Sequence, residues 1–428
     1  MKVLMYGWEF PPHISGGLGT ACFGLTQALV SVGHRITFVL PKAPALGNDS
    51  SHVTLVGSDQ VHISPAEMKA RSGFCLETVD SPLSPYINSE EYTRVLHYLK
   101  QIIQNEPDIT DKPPLLALSG DYGVNLMAEI SRYASVAGKI AKKVAHEVIH
   151  VHDWITIPAG IEAQRVSRRP LVVHIHSLEY DRCGENVNPN VYEIERRGME
   201  QADGIISVSH LTKTRIVKQY GISPDKITVI YNGITRKPAG IRVRTPKSIR
   251  NKIVLFLGRI TFQKGPDYFV EAAAKVLSVR QDVTFVMVGS GDMMNRMITR
   301  TAELKIGNHF YFPGFLRGED VAKMYSMSDL YVMPSVSEPF GISPLEAMEH
   351  GVPVIISRQS GVAEVVGSVF KVDFWDTRQL AGKMLALLHY PELGKAMIHN
   401  GARELDGITW EKAAESVAHV YNRVAAMG

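Results

Sequence analysis

The chain has 428 residues, too many for one ordinary α/β domain and enough for two that each bury a core. Its hydrophobic share of 45% and charged share of 21% are those of a globular protein, and a net charge of +3 gives no argument for nucleic acid as a partner. Cys22, Cys75 and Cys183 form no CxxC pair, which suits a reducing cytoplasm. No run approaches the roughly 18 apolar residues of a transmembrane segment, and the apolar run of Met1 to Tyr6 is too short for a signal peptide.

Short β-branched runs alternate with helical patterns, the signature of parallel sheets with crossover helices. Lys2 to Tyr6 reads as a strand, Thr20 to Val32 as a helix ended by Gly33, and Arg35 to Leu40 as a second strand. Ala43 to about Pro114 is irregular and reads as insertions and loops. A helical pattern over Asp121 to Glu147 leads into a strand at Val148 to His152, and strands follow at Leu171 to His176, Gly204 to Val208 and Ile227 to Tyr231. Thr235 to Asn251, rich in Arg, Lys, Pro and Gly without periodicity, is the best linker. The pattern then restarts with a strand at Ile253 to Leu257, a helix at Pro266 to Val279 and a strand at Val283 to Val288. Further strands are expected at Phe310 to Phe312, Leu330 to Pro334 and Val352 to Ile356, before an amphipathic helix from Trp410 to Met427. The expected division is 1–240, 241–409 and a final helix at 410–428.

The loop His13-Ile14-Ser15-Gly16-Gly17-Leu18-Gly19 joins the first strand to the first helix. Glycines admit a ligand close to the backbone, and amides at a helix start attract anions. A dinucleotide fingerprint is disfavoured, because Cys22 stands where its third glycine belongs and Leu40-Pro41-Lys42 offers no acid at the second strand's end. His146-Glu147-Val148-Ile149-His150 spells the HExxH zinc pattern, but it straddles a helix end and a strand, so its histidines diverge. His152-Asp153-Trp154 ends a strand where open α/β sheets place ligand-binding groups; His152 suits a sugar hydroxyl or, through its carbonyl, a developing positive charge. A packed structural histidine is the plainer alternative, and His174 and His176 rank below it as candidates.

In the second half, Gly258-Arg259-Ile260-Thr261-Phe262-Gln263-Lys264-Gly265 follows a strand and leads to a helix. Arg259 and Lys264 would clamp a diphosphate, one with its planar fork and the other as a point charge. The most specific stretch is Glu338-Pro339-Phe340-Gly341-Ile342-Ser343-Pro344-Leu345-Glu346. Here a helix should begin near Ser343 and end at Gly351, with the amides of Phe340, Gly341 and Ile342 facing outward and Glu346 one turn inside. Glu349 is expected to face solvent.

Together these motifs resemble the retaining GT-B glycosyltransferases of families 4 and 5, the latter including glycogen synthases. The resemblance runs from the glycine loop to the last helix and implies two Rossmann-like, doubly wound parallel-sheet domains facing across a cleft. It implies that Glu338 contacts the donor sugar near the reacting carbon, Glu346 the ribose hydroxyls, and Arg259 and Lys264 the diphosphate. Gly16 and Gly17 would close on that diphosphate, with His152 beside the transferred sugar and the last helix packed back on the first domain. The implied partners are a nucleotide-sugar donor and a carbohydrate acceptor, an α-glucan first, with no metal or other cofactor. His13, Ile14 and Ser15 depart from the Lys usual in glycogen synthases, and the Phe-Gly-Ile wording and Glu179-Tyr180-Asp181-Arg182 lean toward family 4. A family 4 acceptor, a small sugar or a glycolipid, is therefore the alternative. An epimerase or hydrolase and a non-catalytic sugar-nucleotide sensor are the rivals, with an NAD dehydrogenase behind them.

Overall fold

The computed structural model describes residues 1–11, 16–42, 52–58, 126–236 and 250–427. His13, Ile14, Ser15, Cys75, most of the irregular segment and most of the linker lie outside these residues.

The first sheet is built from β1 (Lys2–Tyr6), β2 (Arg35–Leu40), β3 (Thr54–Gly57), β4 (Val148–His152), β5 (Leu171–Ile175), β6 (Gly204–Ser207) and β7 (Ile227–Val229). These strands pair in the order β3-β2-β1-β4-β5-β6-β7, all parallel. Its helices are α1 (Gly17–Ser31), α2 (Leu126–Lys143), α3 (Ile157–Ser167), α4 (Glu179–Cys183), α5 (Pro189–Gln201) and α6 (His210–Tyr220). The central strands β4 and β5 are buried at every position, as a sheet covered on both faces requires.

The second sheet takes β8 (Lys252–Leu257), β9 (Val283–Val288), β10 (Phe310–Gly314), β11 (Leu330–Met333), β12 (Val354–Ser357) and β13 (Phe370–Val372). Its order is β10-β9-β8-β11-β12-β13, again parallel. With it go α7 (Pro266–Leu277), α8 (Met294–Glu303), α9 (Gly318–Met327), α10 (Ser343–Glu349), α11 (Thr377–His389) and α12 (Pro391–Leu405). The last helix, α13 (Trp410–Ala425), leaves this unit and shares a core with α1, burying Trp410, Val417, Val420 and Tyr421 beside Ala21 and Leu25. Gly24 makes the approach possible, since a Cβ there would lie 2.3 Å from the Trp410 ring.

Both sheets reverse their winding direction once among the described strands, between β1 and β4 and between β8 and β11. At such a switch the two flanking connections leave the strand ends in opposite directions and open a crevice. The glycine loop follows β1, His152 ends β4, and Arg259 and Glu338 follow β8 and β11, so these motifs border the two crevices, whereas the HExxH letters begin at the opposite end of β4. Several details differ from expectation: β3 (Thr54–Gly57) lies within the segment expected to be irregular, and β13 (Phe370–Val372) is a strand the sequence pattern does not mark. Helix α1 starts at Gly17 rather than Thr20, its first turn containing Gly17 and Gly19 themselves. Glu349 is buried, at 5% exposure, because Arg236 forms an ion pair with it at 2.8 Å.

Candidate active site

Gly16 occupies the N-cap of α1 with an extended backbone and no side-chain cap, which leaves the first amides of the helix to other acceptors. A Cβ on Gly16 would lie 3.1 Å from Arg259 Nη2, so the glycine of the first sheet rests against the guanidinium of the second. Among the described residues, a Cβ on Gly17 would meet open space. Thus Gly16 and one of the two predicted cations, 243 positions further on by their numbers, meet across the crevices.

Lys264 ends a single 3-10 turn, Phe262–Lys264, and its ammonium donates to Glu338 Oε2 at 2.5 Å. Gly265 sets this position: it has φ +64°, and a Cβ there would strike the Pro334 carbonyl at 2.1 Å. Only glycine lets the Lys264 loop approach the end of β11 so closely. Glu338 is 6% exposed; its amide donates to the Gln359 carbonyl and its own carbonyl accepts from Gly361. Gly341 turns the chain at φ +100° over the Glu338 side chain into α10. Phe340 is buried, its ring 6.1 Å from Tyr231 of the first unit, and Ile342 is the N-cap of α10. Glu346 lies one turn in and accepts from the Tyr325 hydroxyl at 3.0 Å, while Tyr331 donates to Ser343 Oγ at 2.8 Å.

On the first sheet the His152 ring is fully buried, and its Nδ1 lies 3.0 Å from His176 Nε2. His176, ranked lower in the sequence, is half-buried beyond the end of β5. Burial holds both imidazoles, and those of His150 and His174, below the ordinary histidine range, so all four are neutral at pH 7. Asp153, quoted in its motif but given no role, fixes this edge. It sits at φ +59°, and its Oδ1 accepts from the His176 amide at 2.6 Å and the Ser177 amide at 3.1 Å, tying the ends of β4 and β5 together. Burial raises its carboxyl to about 6 against the pull of Arg182 and these amides. Its signal in the sequence was an acid between two strand-end residues, His152 and Trp154.

Sequence reasoning also missed a polar seam between the two units. Arg215 contacts both Asp181 and Ser337, and Ser337 Oγ donates to Asp181 Oδ1 at 2.6 Å. Ser209 Oγ donates to the Pro339 carbonyl at 2.6 Å, and Glu364 accepts from the amides of His210 and Leu211. The loop carrying Glu338 is therefore held at Ser337 and Pro339 by the first unit. Arg182, paired with Glu179 and Glu195, braces the segment beneath, where burial lifts Glu195 to about 7.

A cleft of this kind sets two cations, uncapped helix amides and a buried carboxylate around one space. Such an arrangement can hold an anionic leaving group and orient the atom it departs from. Among the described residues no helix is long and apolar enough to cross a membrane.

The family described as Glycosyl transferases group 1 matches residues 241–404, and Glycosyltransferase Family 4 matches residues 122–237. An uncharacterised glycosyltransferase of Methanocaldococcus jannaschii is 29% identical over 379 residues, covering 86% of this chain and 83% of the relative. Glycogen synthase of Mycobacterium tuberculosis is 24% identical over 98% of this chain and 94% of its own length. Among solved structures, sucrose-phosphate synthase from Thermosynechococcus elongatus shares the fold over the whole of both chains, at a TM-score of 0.74 and 20% identity. Anabaena HepE, solved with UDP-glucose, does so at a TM-score of 0.64 and 17% identity, over 99% of this chain and all of that one. With two parallel sheets that each reverse once and glycosyltransferase families matched on both halves, the chain belongs to the GT-B glycosyltransferases of the family 4 and 5 type.

Proposed function

We propose that this glycosyltransferase moves a glucosyl group, with retention of α configuration, from UDP- or ADP-glucose to an α-glucan. The observation that carries the reading is the meeting of Gly16 with Arg259 beside the Lys264–Glu338 pair. The donor diphosphate lies between the first amides of α1 and the two cations, and its departing charge is stabilised there. Lys264 exchanges Glu338 for phosphate oxygens when donor binds. Glu338 then faces the sugar near the anomeric carbon, the amides of Phe340, Gly341 and Ile342 border the donor, and Glu346 takes the ribose hydroxyls. His152 lines the sugar site through its carbonyl, since its ring is buried. The acceptor hydroxyl attacks the anomeric carbon from the face the diphosphate vacates, and its proton passes to the departing phosphate oxygen. Charge on the diphosphate is met by side chains and amides, so transfer proceeds without added divalent metal.

The donor reading is supported by the UDP-glucose in the HepE structure, and the α-glucan reading by the glycogen synthase that covers nearly the whole chain. A small sugar or glycolipid acceptor is the second reading, favoured by the family 4 match over residues 122–237. Screening UDP-, ADP- and GDP-sugars against glycogen, maltose, sugar phosphates and lipid acceptors, with NDP release and product analysis, separates the two. Transfer to glycogen supports the first reading; NDP release without any acceptor, or sugar isomerisation, overturns both in favour of a hydrolase or epimerase. Donor binding without NDP release identifies a sensor. Glu338→Ala is expected to lower turnover at least ~1000-fold while donor still binds. Native turnover in that variant would remove Glu338 from the mechanism.

A further inference from the structure

Four histidines alternate along two adjacent parallel strands: His150 and His152 on β4, His174 on β5 and His176 just beyond it. A period of two places all four on one face of the sheet. It is the face under α1 and α13, because Val148 and Val172, in the same alternation, pack with Trp410, Val417 and Tyr421. The strand register sets His152 directly beside His174. His150, His152 and His174 are 0%, 0% and 2% exposed, with the His150 ring centroid 4.5 Å from that of His152 and 5.4 Å from that of His174.

Packing alone does not account for this column. Among the described residues His152 Nε2 and His174 Nε2 are both buried without a hydrogen-bond partner; the first is open to an ion, while on His174 it is Nδ1 that faces His150. A buried ring nitrogen left unbonded costs about 1–3 kcal/mol, and aliphatic side chains would fill the same space without that cost. The His150 Nε2 to His174 Nδ1 separation of 3.3 Å is long for a hydrogen bond. It matches the spacing of about 3.3–3.4 Å between two nitrogens that each lie about 2.0–2.1 Å from one tetrahedral zinc ion.

We propose that His150, His152 and His174 form a binding site for a zinc-type divalent transition-metal ion, between the sugar side of the cleft and the C-terminal helix. One ring nitrogen from each lies within 4.8 Å of the other two, so gaps of at most about 1.5 Å close around the ion through side-chain rotations. The outer contacts needed to aim the rings are present. His150 Nδ1 lies 2.5 Å from the Tyr421 hydroxyl of α13, and donating to it leaves Nε2 its lone pair. His152 Nδ1 donates likewise to His176 Nε2, leaving its own Nε2 toward the ion. Neutral imidazole is the ligand form, and burial keeps all three rings in it. The ion touches neither Arg259 nor Lys264, so it is separate from the diphosphate clamp. It fastens α13 through Tyr421 to the strand ends that border the cleft. The HExxH letters contribute only His150, since His146 is turned away to Ser167 Oγ and the Val144 carbonyl.

The test is titration of the full chain, stripped of metal, with Co2+ and then Zn2+. The expected result is uptake of one equivalent of Co2+ with the intense visible bands of a four-coordinate site, bleached by Zn2+, and a rise in thermal midpoint with either ion. His174→Ala and His150→Ala should each weaken uptake roughly 100-fold or more, while an exposed control, His419→Ala, changes nothing. Native protein that takes up no stoichiometric ion, or gives only the weak bands of a six-coordinate surface site, overturns the proposal whatever the variants do. So does uptake that survives loss of His174. If His174→Ala does not fold, His174→Gln keeps a polar side chain of similar reach, and native-strength uptake by that variant overturns the site equally.

Discussion

Gly16 and Gly17 are neighbours with opposite surroundings. Gly16 has φ −169°, an extended backbone open to any residue, so alanine there meets no conformational penalty. Its methyl would instead press on Arg259 Nη2, 3.1 Å away, and displace the guanidinium. Gly17 begins α1 and faces open space among the described residues, so alanine there raises helix propensity by up to about 1 kcal/mol and touches no described atom. Both variants should fold with a thermal midpoint near the native one. Gly16→Ala should lower turnover about tenfold or more through Arg259, whereas Gly17→Ala should raise the donor KM, because its methyl occupies the space assigned to the diphosphate. Steady-state kinetics with varied donor checks both. Native constants for Gly17→Ala would move the diphosphate away from this helix start.

At the scale of elements, the paired strands β4 and β5 carry a pH dependence with a definite sign. The folded chain holds His150, His152 and His174 below the ordinary histidine range, so the unfolded chain binds more protons once pH falls under about 6.5. Their contribution to stability is present above that pH and is lost progressively on acidification. Asp153, raised to about 6, acts in the opposite sense: between about 4 and 6 the folded chain holds its proton and the unfolded chain does not. Each proton is worth about 1.4 kcal/mol per pH unit. In metal-free protein, His174→Ala should therefore reduce proton uptake on unfolding near pH 5 by about one, and Asp153→Asn should increase it by about one. Denaturant unfolding at a series of pH values measures both, and parallel stability–pH curves for native and variant proteins would contradict the assignment. Most strands were legible to within two residues, because β-branched runs of five or six have one reading between helical patterns, but β3 at Thr54–Gly57 and β13 at Phe370–Val372 are too short to stand out and were missed. Legible too was the placement of Glu338, Arg259 and His152 at the ends of strands, where open α/β sheets gather ligand-binding groups. What covers a face was not legible. Spacing put Glu349 on α10 but gave no hint of Arg236, and alternation put four histidines on one face without showing that Tyr421 closes it. Such partners are brought together by the fold, and local pattern carries no trace of them.

At the scale of the whole molecule, two crossings join units that each have their own core. They run side by side: Ile234 pairs with Thr409, and the Ile234 amide donates to the Ile408 carbonyl at 3.2 Å. Gly233 lies against the backbone at Trp410, where a Cβ would come within 2.2 Å. This double crossing is narrow, and rotation about it would open or close the cleft. Opposing that rotation, the start of α6 receives the second unit twice. Glu364 accepts from the His210 and Leu211 amides, near the positive end of the helix dipole, and also from Tyr231 at 3.0 Å. Ser209 donates to Pro339, next to Glu338, from a fully buried position. Removing the Ser209 hydroxyl leaves the Pro339 carbonyl only the 3.5 Å contact of Thr212 Oγ1 and uncaps α6, together costing about 1–3 kcal/mol; the exposed Glu364 contact is worth about 1 kcal/mol. With both intact, the two cores should unfold in a single calorimetric transition. Ser209→Ala with Glu364→Gln should split it into two, with the isolated cores retaining their helices and strands between them. The same variant should lose turnover more than donor affinity, because the Pro339 carbonyl then no longer fixes Glu338 against the cleft while Arg259 is untouched. A single transition with native kinetics would mean that the double crossing and the Arg215–Asp181–Ser337 contacts suffice to hold the two units in register.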